Sequence, residues 1–142
     1  MGRVMTKIKL TNLTDLDKAE NGLLPLEKVR NVEIDALVDS GCTMLVLPED
    51  VVARLGLREM RRSTVRYADG RVASVRQVGG LLVEILGRDM TCDALVHPAG
   101  TTPLIGQLQL EQLDLVVDAR SRQLTVNPAH PDAPLLDILA AS

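Results

Sequence analysis

The sequence predicts a mainly β domain assembled from antiparallel hairpins. Three observations predict it. Short apolar or alternating runs recur along the whole length, turn-forming residues separate them at close intervals, and only two stretches carry helix start and stop signals. With 142 residues, 46% of them hydrophobic and 25% charged, the chain suits one buried core and is short for two.

Thr6-Lys7-Ile8-Lys9-Leu10-Thr11 alternates polar and apolar with period two, as a half-buried strand does. The polar segment Asn12 to Gly22 reads as a loop or a short helical turn. Val29 to Val38 is a second strand and Met44 to Leu47 a short buried one. Pro48-Glu49-Asp50 opens a helix, with proline in its first turn and acids at its positive end, and Gly56 closes it. Two β-prone arms from Thr64 to Val78 flank Asp69-Gly70, a type I′ hairpin signal, and their few large apolar residues predict a hairpin that projects. Leu81 to Leu86 and Met90 to Val96 form the next hairpin around Gly87-Arg88-Asp89. Pro103 to Gly106 is a short apolar strand and Gln107 to Leu113 a short helix. Leu115-Val116-Val117 and Leu124-Thr125-Val126 frame a last hairpin around Ala119 to Arg122. The tail beyond Asn127 is rich in proline, and its Leu135-Leu136 and Ile138-Leu139 call for a partner surface.

Composition excludes several functions. One tyrosine, Tyr67, is the whole aromatic content, so the core is aliphatic and no ring platform for stacking bases is available. A net charge of -3 argues against general attraction to nucleic acid or to anionic membrane. Arg58, Arg61, Arg62, Arg66, Arg71 and Arg76 make a local basic stretch, read as a solvated face or as a patch that steers a substrate or partner. The sequence shows no signal peptide and no run of about 18 apolar residues, so a reducing cytoplasm is expected, with Cys42 and Cys92 as small buried thiols and the sequon at Asn12 unused. His97 and His130 lie in predicted loops without metal-ligand spacing to either cysteine, and neither a Gly-x-Ser-x-Gly elbow nor a phosphate-binding Gly-Lys loop occurs. No metal or cofactor is expected.

The chain repeats itself once. Asp35-Ala36-Leu37-Val38 returns as Asp93-Ala94-Leu95-Val96, and each copy continues through a turn to a short apolar strand and a helix. The first copy runs on through Asp39-Ser40-Gly41; the second has His97-Pro98 at that place. By itself Asp-Ser-Gly is also what an ordinary turn at a strand end looks like.

Leu37-Val38-Asp39-Ser40-Gly41, the following hairpin, and Pro103-Leu104-Ile105-Gly106 ahead of a short helix together resemble the retropepsin-like aspartic proteases, the single-domain relatives of pepsin. The resemblance covers about Val29 to Asn127, and the chain as a whole is similar to bacterial members of that group. It divides the chain into a strand-and-loop extension over 1–28, the protease-like domain over 29–127 and a tail over 128–142.

The resemblance implies a closed antiparallel β barrel with a flap hairpin and one or two short helices. It implies an aspartic endopeptidase with Asp39, Ser40 and Gly41 as the catalytic turn: the acid, a hydroxyl that ties two such turns together, and a small residue that admits substrate backbone. Cys42 and Thr43 would floor the cleft, Tyr67, Ala68, Asp69 and Gly70 would cover it as the flap, and Leu104 and Ile105 would line it. In this chemistry two carboxylates share one proton and activate water between them. One chain brings a single such acid, so a homodimer joining two copies of Asp39 on a twofold axis is expected, cleaving extended peptides with apolar residues at the scissile bond. The family often has a polar residue at Leu108, and the one-glycine flap tip is sparse. These departures favour the alternative, a catalytically silent module that dimerises and binds peptides or proteins.

Overall fold

In the computed structural model, which describes residues 3–139, the N-terminal strand closes the molecule. β1 (Met5–Asn12) pairs antiparallel along its whole length with β2 (Asn31–Val38), and its second half pairs with the end of β5 (Val72–Ile85), from Lys9 opposite Glu84 to Asn12 opposite Leu81. Between those edges stand β7 (Leu104–Ile105), β3 (Val46–Pro48) and β6 (Arg88–His97), which completes a closed barrel in the order β1-β2-β7-β3-β6-β5. β4 (Arg58–Arg66) stays outside the ring, paired only with the first half of β5. β1 thus lies outside the 29–127 domain drawn from the sequence and yet supplies the closing strand. Residues 1–2 and 140–142, the ends of the two terminal segments, lie outside the described residues.

Ile8, Leu10, Leu45, Leu47, Leu81, Val83 and Ile105 are fully enclosed at the centre of the barrel, and α2 (Glu49–Leu55) caps it with Val51, Val52 and Leu55. The core is aliphatic, as the composition requires. α2 starts after Pro48 and ends on Gly56 at φ 62°, where the sequence signals put its ends. α3 (Gln107–Gln112) follows β7. β8 (Leu115–Asp118) and β9 (Gln123–Val126) form a separate hairpin.

Several sequence expectations need correction. Asn12 to Gly22 holds a full helix, α1 (Leu13–Glu20), so the described residues contain three α-helices, besides a single 3-10 turn at Leu26–Lys28. Asn12 caps it by accepting the Asp15 N–H at 2.9 Å, and the Asn12 amide reaches Leu55 O at 2.8 Å, which ties α1 to the end of α2. The sheet contains parallel pairings, β2 with β7 and β3 with β6. The hairpin placed around Gly87-Arg88-Asp89 turns instead on Leu86 and Gly87, both at positive φ, and β6 begins at Arg88. Arg88 looks like a turn residue but is buried, because its guanidinium donates to Leu113 O, Asp114 O and His130 O.

The tail is fastened at a carboxylate. Asp114 Oδ2 accepts the Leu135 N–H at 3.1 Å and contacts His130 Nδ1 at 2.6 Å, while Oδ1 accepts from the Asn127 amide at 3.1 Å. These partners, Leu135 first, hold the Asp114 carboxyl down to about 2. Beyond that anchor Leu136, Ile138 and Leu139 are exposed.

Candidate active site

Asp39 is the first residue past β2, and two neighbouring segments fix its backbone. Its N–H donates to Ile105 O at 2.9 Å, one rung beyond Leu37 N–H to Pro103 O at 2.8 Å. Its carbonyl accepts the Cys42 N–H at 3.0 Å and its Oδ1 accepts the Gly41 N–H at 3.0 Å, so the chain folds back into a tight turn around the carboxylate. The turn then runs across the start of α3, where Cys42 O and Thr43 O accept the N–H groups of Gln107 (2.7 Å) and Leu108 (3.0 Å). Such contact demands a residue without a side chain at the crossing. A Cβ on Gly106 would lie 2.6 Å from Met44 O and 2.8 Å from Cys42 O. The Pro103 to Gly106 segment therefore positions the acid.

The repeat is a structural one. Leu95 N–H donates to Leu45 O at 2.9 Å as Leu37 N–H does to Pro103 O, and Leu95 pairs parallel with Val46 as Leu37 does with Leu104. Val46 and Leu104 pair with each other across the middle. Continued one residue past Val38 and Val96, the correspondence makes His97, the last residue of β6, the counterpart of Asp39.

Both residues line one cavity of about 260 Å³. The Asp39 turn contributes Asp39, Gly41 and Cys42 to its lining, the barrel strands Val46, Leu95, His97 and Leu104, and the β4–β5 hairpin Val65, Arg66, Tyr67, Ala68 and Val75. Asp39 is the one carboxylate among its described lining residues. Cys42, half-buried, directs its thiol to Met44 O at 3.2 Å; burial pushes that thiol up and the nearby Asp39 adds to the effect. Among the described residues no group of three or more His, Cys, Asp and Glu side chains is placed to hold a metal ion.

Of the residues expected from the sequence, the cavity brings together Asp39, Gly41, Cys42, Tyr67, Ala68 and Leu104. Ser40 and Thr43 face outward, into an adjoining groove of about 350 Å³ with Gln107, Leu108 and Glu111. Asp69 and Gly70 form the exposed hairpin tip and do not line the cavity. Ile105 is a correction: it is 0% exposed, in the barrel core, and its neighbour Leu104 faces the cleft. The tip is a second. Gly70 N–H donates to Tyr67 O at 2.9 Å, Tyr67 N–H to Arg71 O at 2.8 Å, and Gly70 alone has positive φ, 86°, so the turn is type I followed by a glycine bulge rather than type I′.

Sequence reasoning did not name Val46, Val65, Arg66, Val75, Leu95 or His97 as lining residues. The signals were present. The hairpin's period-two alternation puts Val65, Tyr67 and Val75 on one half-buried face, and the repeat makes His97 the counterpart of Asp39.

A six-stranded barrel closed in this order, with an Asp-Ser-Gly turn crossed by an apolar-Gly segment, has the architecture of a single-domain retropepsin-like fold. Residues 28–112 match the family model described as "gag-polyprotein putative aspartyl protease", and the chain belongs to this retropepsin-like aspartyl protease family. The match starts just before β2 and ends with α3, so it contains the whole repeat and leaves out β1. A search of curated proteins found no match.

Proposed function

We propose that the protein is an aspartic endopeptidase that works as a homodimer, with one water molecule activated between two Asp39 carboxylates. One observation carries this reading: the cavity under the hairpin holds one acid, and the place equivalent to it in the repeat holds His97. A lone carboxylate cannot be both the base that takes a proton from water and the acid that protonates the carbonyl oxygen. Two of them sharing a proton can, and their pKa values then belong to the pair. Twofold symmetry supplies the second acid without any further residue in the chain.

The surroundings support the same reading. The apolar lining of Val46, Leu95 and Leu104 suits an apolar substrate side chain, and an extended peptide could add itself as a strand beneath the β4–β5 hairpin, which would serve as the flap. The unusual Gln107-Leu108 does not weaken the site, because α3 is held by its backbone N–H groups and by Gln109 Oε1, which accepts the Gly106 N–H at 3.1 Å. Both cysteines are free thiols, which suits work in the cytoplasm.

Wild type and Asp39→Asn should be incubated with a diverse peptide pool between about pH 4 and 7 and the products sequenced. The expected result is cleavage next to apolar residues, reduced at least about 100-fold in Asp39→Asn. Dimeric wild-type protein that cuts no more than Asp39→Asn does would leave the silent binding module as the function.

A further inference from the structure

A covering hairpin needs something fixed to close on. The half-buried face of the β4–β5 hairpin ends at Tyr67, whose hydroxyl lies 3.3 Å from His97 Nε2. The two rings also stack, with centroids 5.9 Å apart and planes 29° from parallel. The Arg71 guanidinium lies over the same tyrosine, 4.9 Å from its centroid, and pairs with Asp69 at 3.3 Å, so the tip is braced on Tyr67. The chain's one aromatic residue is thus placed at the join between the hairpin and the barrel.

His97 does not belong to the hairpin. It ends β6, a barrel strand whose Leu95 N–H is bonded to Leu45 O, so the contact runs from a projecting element to a rigid wall. With the contact made, a cavity of about 260 Å³ remains beneath it, with Asp39 and Tyr67 both on its lining. Closing the join therefore does not fill the cleft.

We propose that His97 is a positioning residue, the latch that receives Tyr67 and sets the height of the hairpin over Asp39. The position that carries the acid in one half of the repeat would then carry the flap's anchor in the other. The proposal rests on reading the hairpin as a flap. Either imidazole tautomer serves, because the tyrosine hydroxyl both donates and accepts. Replacing His97 by leucine removes the hydrogen bond and the stacking together; replacing Tyr67 by phenylalanine removes the hydrogen bond alone.

Amide exchange followed by NMR tests the latch without any need for catalysis. Wild type should show a nuclear Overhauser contact between the Tyr67 and His97 rings. His97→Leu should speed exchange of the Tyr67 and Gly70 amides by roughly tenfold, and Tyr67→Phe by less, with the Leu95 amide unchanged in both. If His97→Leu also loses protection at Leu95, the barrel itself has loosened and Tyr67→Phe decides. Equal exchange at the tip in wild type and Tyr67→Phe would then overturn the proposal, as would equal exchange in wild type and a folded His97→Leu, or the absence of the ring contact. In a wild type that cleaves peptides, His97→Leu should raise KM about tenfold with a smaller change in kcat. A fall in kcat at unchanged KM contradicts the latch, whereas a wild type without cleavage counts against the endopeptidase and leaves the exchange result to decide the latch.

Discussion

A methyl group on Gly106 would press on Met44 and Cys42 backbone atoms, which cannot swing aside as the end of a long side chain can. Gly106→Ala should therefore cost about 1–3 kcal/mol in urea unfolding. It should also lower cleavage by at least about tenfold, because the segment that must yield, Cys42 to Met44, leads directly from the acid. Loss of stability with full activity would show that Asp39 is positioned by something else. At this scale the sequence was unevenly legible. Asp39 stood out because an acid between two apolar runs is unusual. Ile105 was misread because a strand of two residues has no period from which to tell its inner face from its outer one. His97 was visible only through the repeat, since a histidine beside a proline looks like any loop residue.

Among the elements, α1 shows what local pattern misses. Its helix is held less by an apolar stripe than by Asp15, a buried acid that accepts from Arg30 Nε at 2.8 Å, Arg30 Nη2 at 3.0 Å and the Arg30 backbone N–H at 3.0 Å. No window of sequence pairs those two residues, because their meeting depends on the barrel. The guanidinium holds the Asp15 carboxyl at about 2, below its ordinary 3.8. The unfolded chain therefore takes up this proton first, so the stabilisation is complete above about pH 4 and fades as pH falls toward 2. Asp15→Asn should destabilise the protein by about 1–3 kcal/mol at neutral pH. The gap between Asp15→Asn and wild type in urea midpoints should close on acidification through that window. A gap that stays constant from pH 6 to about pH 2 would show that the charge contributes nothing. The β4–β5 hairpin was legible as two β-prone arms about Asp69-Gly70, but not its extent, since β4 starts back at Arg58 and β5 runs unbroken to Ile85 where the sequence suggested a new strand at Leu81; nor was its turn type, because Asp-Gly fits more than one turn.

For the molecule as a whole, the repeat is the most informative feature. It relates the β2–β7 pairing to the β6–β3 pairing and brings Asp39 and His97 to one cavity. The sequence disclosed this through four repeated residues. It did not disclose that β1 closes the barrel, because a closing strand is defined by two partners distant in sequence. Near the Asp39 turn, a groove of about 900 Å³ runs from Ser40 past α3 to Leu135 and Leu136 of the anchored tail.

The most direct test is a mixed dimer of one wild-type chain and one Asp39→Asn chain, isolated through two different affinity tags and assayed beside both parent dimers. If the two acids share one proton and one water, the single change should cost nearly as much as the double one, at least about 100-fold. A mixed dimer that keeps roughly half of wild-type activity would mean that each chain cuts by itself, and would contradict the account.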